Sequence, residues 1–344
     1  MTPDELLKSI SEAERTERVA RGLPPHHVLD MGEFPFCFAS KTFKRFAAAT
    51  AQWASQSADD AGPQSINAWA RVLVGDYTGA DAALARFQAL MPDQPLAAMR
   101  FTSLPGGAPL GLPPVMGKWP DRPAFFLSCD LLYLRKYGLN LLRSLAHHAP
   151  GCAAHVHVLG PEAADMSDLN LALTVTTEDP ASLFATGVDP KLYYHAARLV
   201  RFAQALRASG QPLVSSDADA LVTADPRALL TLPGDVAIRV RPGRIEPWHH
   251  FSACLLRGTP QSIPYFDAVA EIILRLLGKP FWGLDQYALF AAYLNTKPAL
   301  TLLGPDIASV DNERPGLFWF TAGVNKTELS SASDPYAKAF RAYS

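Results

Sequence analysis

Residues 212–226 read PLVSSDADALVTADP, an apolar run that leads into two carboxylates one residue apart, Asp217 and Asp219. An apolar run of this length between turn-forming residues predicts a short buried strand. Residues i and i+2 at a strand end can point the same way, so both carboxylates can face one ligand. A hard divalent cation takes oxygen donors from a few carboxylates and from substrate phosphates. The stretch therefore predicts a metal site at the end of a strand.

On both sides of this stretch, short apolar segments alternate with amphipathic segments. We expect strands over residues 124–128, 154–159, 171–176, 211–215, 235–239 and 250–256. We expect helices over residues 135–147, 193–208, 263–277 and 284–294. This alternation predicts an α/β domain with a mostly parallel sheet that is covered on both faces by helices. In such sheets the ligand lies beyond the carboxyl ends of the strands.

Residues 1–100 are predicted to form a separate, all-α helical region. One helix is expected over residues 41–55, and residues 66–95 predict a helical hairpin. Within the hairpin, Trp69 and Leu73 share one helix face, while Ala80, Leu84 and Phe87 share the face of a second helix. The pattern resembles one tetratricopeptide unit, and an ordinary helical hairpin explains it equally well. Residues 101–122 are rich in Pro and Gly and are predicted to be a linker, so the α/β domain is assigned to residues 123–344.

The charge, the apolar runs and the cysteine spacing of the chain argue against several classes of protein. The chain has 344 residues and a formal net charge of −2, with Lys+Arg 31 against Asp+Glu 33, so no basic footprint for nucleic acid is expected. No apolar run is long enough to span a bilayer, and the first residues lack the apolar core of a signal peptide. Four cysteines without close pairing favour reduced thiols over a disulfide framework or a zinc site. We therefore expect a cytoplasmic protein.

Four further segments stand in a recognisable order around the Asp-x-Asp motif. They are FFLSCDLLYLRKYGLNLLRSL (125–145), LYYHAARLVRFAQAL (192–206), HFSACLLRG (250–258) and WGLDQYALF (282–290). Together with Asp217-x-Asp219 they resemble the GT-A fold glycosyltransferases, especially family 8-like members such as glycogenin and bacterial lipopolysaccharide sugar transferases. The resemblance covers about residues 123–326, and the spacing and order of the segments carry it.

The resemblance implies a role for each candidate residue. Asp217 and Asp219 would bind Mn²⁺ or Mg²⁺, and the nucleotide would contact Ser128, Cys129, Asp130, Tyr133, Tyr194, Arg198, Asp217, Gly323 and Lys326. Either Tyr133 or Tyr137 would stack on the base. Trp248, Ser252 and Asp285 would bind substrate, and Asp285 with Gln286 would be the catalytic pair that reaches the donor sugar or acceptor.

Simpler interpretations exist for some of these residues, and the sequence departs from the family at others. Tyr194 and Arg198 could be a helix-surface pair, and Asp285 could cap its helix. Trp319 or Phe320 stands where family 8 members place a metal-binding His, and Cys254 replaces a Gly of the family pattern.

The function implied is a metal-dependent glycosyltransferase that moves a sugar from a nucleotide-sugar donor, UDP-sugar by resemblance, to a glycan or protein acceptor with retention of configuration. The helical N-terminal region could bind a protein partner. One alternative is a transferase-like interaction protein that has lost activity. The other is a nucleotidyltransferase, which ranks lower because the first strand is not followed by a Gly-rich loop.

Overall fold

The computed structural model describes residues 41–119, 121–240, 249, 251–310, 314–321 and 334–344. The chain divides into two compact units between Gly106 and Gly107, a point inside the segment predicted to be a linker. The first unit is helical and the second carries the main sheet.

The described residues of the first unit form three α-helices: α1 (Lys41–Gln56), α2 (Ala61–Leu73) and α3 (Tyr77–Leu90). The helix expected over residues 41–55 is therefore confirmed, and α2 and α3 form the expected hairpin. Asp60 caps α2 by accepting from the Gly62 backbone N–H at 3.0 Å, and Asp76 caps α3 in the same way through Gly79. Whether this hairpin is a tetratricopeptide unit stays a prediction.

The first residues of the Pro/Gly-rich segment pack on this helical unit. Both carboxylate oxygens of Asp81 accept backbone hydrogen bonds, from Phe101 N at 2.8 Å and from Thr102 N at 2.9 Å. Phe101 is buried, and its ring lies 6.5 Å from that of Tyr77. Asp81 therefore holds an extended chain that has no helix or strand of its own.

The described residues contain ten strands: β1 (Phe125–Cys129), β2 (Ala153–Val158), β3 (Ala172–Thr177), β4 (Leu213–Ser216), β5 (Ala220–Val222), β6 (Val236–Val240), β7 (Phe251–Gly258), β8 (Leu300–Leu303), β9 (Ala308–Ser309) and β10 (Phe318–Phe320). Seven of them form one sheet in the order β3-β2-β1-β4-β7-β6-β8. Only β7 runs antiparallel to its neighbours. The predicted α/β class with a mostly parallel sheet is confirmed.

In the described part of this second unit lie six further helices: α4 (Leu139–His148), α5 (Ala181–Ala185), α6 (Pro190–Ser209), α7 (Ile263–Leu276), α8 (Leu284–Thr296) and α9 (Pro335–Arg341). A short helix (Leu131–Tyr133) and a π-helical turn (Leu134–Gly138) lead into α4. Asp189 caps α6, and Phe202 of α6 packs between Phe126 of β1 and Phe266 of α7. All four helices expected in this unit are present.

A small second sheet was not predicted from the sequence. It has the order β5-β10-β9, and β10 runs antiparallel to β5 with Phe320 opposite Ala220. Strands of two or three residues are too short to show a hydrophobic period, so the sequence gives no signal for them. The pairing brings Phe320 next to the Asp-x-Asp motif.

The second half of the Pro/Gly-rich segment, residues 107–119, is ordered against the larger unit. The Leu110 N–H donates to Leu274 O at 2.8 Å, and Met116 exchanges two backbone hydrogen bonds with Thr177. The segment therefore has no helix, as its composition predicts, but its backbone groups find partners. In the part of the chain that the structure describes, no helix is both long and apolar enough to cross a membrane.

Candidate active site

A cavity of about 880 Å³ opens in the second unit beyond the carboxyl ends of β1 and β4. The antiparallel strand β7 begins at the same edge, and the first turn of α8 faces it. Most of the predicted site residues line this cavity: Ser128, Cys129, Asp130, Tyr133, Tyr194, Arg198, Asp217, Asp219, Ser252, Asp285 and Gln286. Trp248, Gly323 and Lys326 lie outside the described residues. The sheet thus brings together residues from five separate segments of the chain.

The two carboxylates of the Asp-x-Asp motif have different surroundings. The Asp217 side chain is 29% exposed, and its backbone N–H donates to Cys254 O at 2.8 Å. Asp219 is buried, and its Oδ2 accepts a 3.0 Å hydrogen bond from the Tyr133 hydroxyl. Tyr336 of α9 donates to the Asp219 backbone carbonyl at 2.7 Å. Asp219 is therefore held in place, while Asp217 is accessible from the cavity.

Arg198 of α6 connects the motif to the start of α8. Its Nη1 forms an ion pair with Asp217 Oδ1, and its Nη2 donates to Asp285 Oδ2 at 3.0 Å. Burial opposes the charge on this guanidinium, but the two carboxylates outweigh that cost and raise the pKa of Arg198 above its usual range. The side chain is 13% exposed, so Arg198 belongs to the cavity floor, and the interpretation as a helix-surface pair with Tyr194 is wrong.

Asp285 is a fully buried carboxylate. It lies one residue inside α8, whose N-cap is Gly283, so it does not cap the helix and that interpretation is wrong as well. His195 Nε2 lies 3.3 Å from Asp285 Oδ2. Burial alone would raise the pKa of Asp285, but the adjacent His195 and the Arg198 guanidinium hold the pKa below its ordinary value. Asp285 is therefore ionised across the physiological pH range.

Two buried oxygen atoms at the cavity make no hydrogen bond to any described residue. They are Ser128 Oγ and Asp285 Oδ1. An unsatisfied buried polar atom costs about 1–3 kcal/mol, so each such atom in a folded protein requires an explanation. A polar ligand in the cavity would give both oxygens a partner.

The remaining predicted residues take supporting positions. Burial raises the pKa of the Cys129 thiol, which keeps it protonated at the end of β1. Ser252 donates to the sulfur of Cys254 at 3.1 Å. Tyr137 is 3% exposed and packs against Phe340, so of the two tyrosines considered for base stacking only Tyr133 lines the cavity.

A group of residues at the rim of the cavity, around Trp282, was not predicted from the sequence. The Trp282 ring stacks on His195 with centroids 4.8 Å apart and an interplanar angle of 6°. Lys191 Nζ lies 5.1 Å from the centre of the same ring. Lys191, His195 and Arg198 follow one another at helical spacing, which could have signalled a shared face of α6. Other lining residues not predicted are Leu132, Pro190, Ala218, Arg239, Ala253, Val310 and Thr321.

A divalent metal ion is compatible with this donor set. Among the described residues no cluster of three His, Cys, Asp or Glu side chains is arranged to hold a metal. Asp217 and Asp219 nevertheless line one cavity, and Mg²⁺ is commonly bound by one or two carboxylates with the other positions taken by phosphates and water. Phe320, one of the two residues considered for the place of the metal-binding His, also lines the cavity and provides no ligand atom.

Comparison with solved structures finds several glycosyltransferases. The apo bifunctional glycosyltransferase WbbM matches at 15% identity over 80% of this chain and 58% of its own, with a TM-score of 0.49. The glycosyltransferase GlyE of Streptococcus pneumoniae matches at 13% identity over 64% of this chain and 60% of its own (TM-score 0.45). The galactosyltransferase LgtC, in complex with donor and acceptor sugar analogues, matches at 13% identity over 64% of this chain and 94% of its own (TM-score 0.46).

The chain thus spans about three fifths of the length of WbbM and of GlyE. No family model matches the chain, and no curated protein matches it.

Proposed function

We propose that the chain is a glycosyltransferase that moves a sugar from a nucleotide-sugar donor to a glycan or protein acceptor. One observation carries the proposal: Arg198, buried at the carboxyl edge of the sheet, contacts Asp217 of the Asp-x-Asp motif and Asp285 of α8 at once. A cation at this position can neutralise a diphosphate, and the carboxylates on either side can hold a metal ion and a sugar. The UDP-sugar donor and the retention of configuration rest on the family 8 resemblance.

Different described residues would bind the nucleoside, the diphosphate and the metal ion of the donor complex. Ser128 and Asp130 at the end of β1 would bind the nucleoside, with the Tyr133 ring beside the base and Tyr194 on α6. Arg198 would neutralise phosphate charge. Asp217 and Asp219 would hold Mn²⁺ or Mg²⁺, and such an ion, when bound, stabilises the negative charge of a leaving diphosphate.

The transferred sugar and the acceptor would lie on the α8 side of the cavity. In the overall reaction the bond from the anomeric carbon to the diphosphate oxygen breaks, a bond to an acceptor oxygen forms, and the acceptor hydroxyl loses its proton. Asp285, kept ionised by Arg198 and His195, would accept hydrogen bonds from sugar hydroxyls and so orient them, with Gln286 and Ser252 nearby. Roles for Trp248, Gly323 and Lys326, and the cytoplasmic location, stay predictions.

Thermal unfolding in the presence of nucleotides tests the proposal. A ligand that binds only the native state at one hundred times its Kd stabilises that state by about 2.7 kcal/mol, so a donor nucleotide must raise the Tm. We expect a metal-dependent rise with one nucleoside diphosphate, and release of that diphosphate from its sugar conjugate in a chromatographic assay. A folded protein whose Tm responds to no nucleotide contradicts the proposal. Binding without release from any donor favours the inactive interaction protein.

A further inference from the structure

Trp282 is an exposed aromatic side chain at the rim of the cavity. It is 59% exposed, although a tryptophan in a folded protein is usually highly buried. The other exposed large apolar residues that line the cavity, Leu132 and Val310, are aliphatic. One face of the ring stacks on His195, so a molecule that enters the cavity can contact only the part of the ring that stays exposed.

The position of Trp282 is set by its neighbours. Its ring is parallel to that of His195, and His195 in turn reaches Asp285 on the cavity floor. The next residue, Gly283, has a backbone φ of 90°, which residues other than glycine rarely adopt. Helix α8 begins directly after it. Trp282 at the rim and Asp285 on the floor of the cavity are thus only three residues apart, and the imidazole of His195 contacts both.

Trp282 directly precedes α8, whereas Ser128 and Asp130 of the proposed nucleoside site lie at the end of β1. Helix α8 packs on β7, where Phe251 contacts Phe290 at 5.7 Å, and β4 separates β7 from β1 in the sheet. Two strand spacings amount to about 10 Å. A nucleoside at Ser128 and Asp130 at the end of β1 would leave the Trp282 side for the second substrate.

We propose that this second substrate is a saccharide and that one of its pyranose rings stacks on Trp282. The C–H groups on one face of a pyranose carry partial positive charge, which the negative face of an indole ring attracts. The Lys191 ammonium lies 5.1 Å from the centre of the Trp282 ring and would donate to hydroxyl groups of the stacked sugar. The inference rests on the proposed function and chooses a saccharide over a protein as the acceptor.

Saturation-transfer NMR with simple methyl glycosides of glucose, galactose, mannose and N-acetylglucosamine tests the inference. The spectra are recorded with and without UDP and Mn²⁺. We expect at least one glycoside to bind the parent protein and Trp282→Ala to weaken its Kd by about tenfold, a loss typical of truncating an aromatic anchor. Trp282→Phe keeps a flat ring and is expected to stay within about threefold. Leu104→Ala, which removes an exposed apolar side chain of the helical unit, is the control.

The nucleotide-dependent Tm of the same variants separates this inference from the proposed function. Trp282→Ala is expected to keep the parent response to UDP and Mn²⁺, because the nucleotide would lie on the β1 side. Unchanged glycoside affinity in Trp282→Ala overturns the inference, as does a loss confined to nucleotide binding, which would make Trp282 a base platform. A parent protein that binds nucleotide but no glycoside also overturns it and points to a protein acceptor. Glycoside binding through Trp282 without any nucleotide response overturns the proposed function alone.

Discussion

Arg198 donates a hydrogen bond from Nη2 to Asp285 Oδ2 at 3.0 Å, and this contact ties the middle of α6 to the first turn of α8. Both side chains are largely removed from solvent, with 13% and 1% of their surfaces exposed. The second nitrogen of the guanidinium reaches Asp217 at the end of β4. One cation therefore pairs with two carboxylates, one that follows strand β4 and one in helix α8.

Replacement of the buried cation should destabilise the fold. We expect Arg198→Met to lower the free energy of unfolding by about 3 kcal/mol, because it leaves the buried Asp285 carboxylate without its main partner. Arg207→Met on the same helix is a matched control, since its bridge to Asp267 is exposed and should change stability by no more than about 0.5 kcal/mol. Urea denaturation measures both. Equal losses in the two variants would show that Arg198 makes no special contribution.

A nearby aspartate outside the cavity provides a control for a substitution in the Asp-x-Asp motif. Asp217→Asn should abolish the rise in Tm produced by UDP with Mn²⁺, because the amide lacks the negative charge of the carboxylate that would bind the cation. Asp225→Asn, eight residues later, should keep that rise, because Asp225 is exposed and pairs with the neighbouring Arg227 outside the cavity. Differential scanning fluorimetry provides the comparison. A full response in Asp217→Asn would exclude this carboxylate from the metal and nucleotide site.

The hydroxyl of Tyr133 should stabilise the fold through its hydrogen bond to Asp219. Burial, together with the negative charge of Asp219, raises the pKa of Tyr133, so the phenol stays protonated and donates to the carboxylate. Tyr133→Phe leaves a buried carboxylate short of one donor, which we expect to cost about 1–3 kcal/mol in the free energy of unfolding and to reduce the metal-dependent nucleotide response.

The neighbouring Tyr137 is the matched control for that variant. The two rings lie 4.6 Å apart, but the Tyr137 hydroxyl makes no hydrogen bond within the described part of the chain. Tyr137→Phe should therefore leave both the stability and the nucleotide response close to those of the parent. If both variants behave alike, the hydrogen bond to Asp219 has no measurable role.

A buried histidine away from the cavity should make stability depend on pH. His155 of β2 is fully buried between Thr174 and Thr176, whose hydroxyls lie 2.8 Å from its ring nitrogens. Burial lowers the pKa of His155 from its ordinary 6.5 to about 4, and His157 contributes in the same direction. The unfolded chain therefore binds a proton at a higher pH than the folded chain does.

The free energy of unfolding should then fall as the pH is lowered from about 6.5 to about 4, by up to about 3 kcal/mol from this residue. His155→Gln removes the titrating group and should flatten that part of the pH profile. Urea denaturation at pH 7 and at pH 4.5 gives the slope for each protein. Identical slopes for the parent and the variant would show that His155 does not titrate in this range.

Local chemistry in the sequence determines the helices and strands and the location of the candidate site. Each predicted strand and helix of the larger unit is present, with strand boundaries that differ by at most two residues, because hydrophobic period and turn-forming residues act over short distances. The Asp-x-Asp motif lies at a strand end for the same reason. The order of the segments then suffices to place Ser128, Arg198, Asp217 and Asp285 at one edge of a parallel sheet, where their lining of one cavity is observed.

The partners of these residues depend on the tertiary structure. Arg198 and Asp285 are 87 residues apart in the chain, and Tyr133 and Asp219 are 86 apart. The stack of Trp282 on His195 joins two segments in the same way. Such contacts follow from the order of strands in the sheet and the packing of helices on it, and hydrophobic period carries no information about either. The sequence thus determines which elements and which reactive groups exist, and the tertiary structure decides which of them meet.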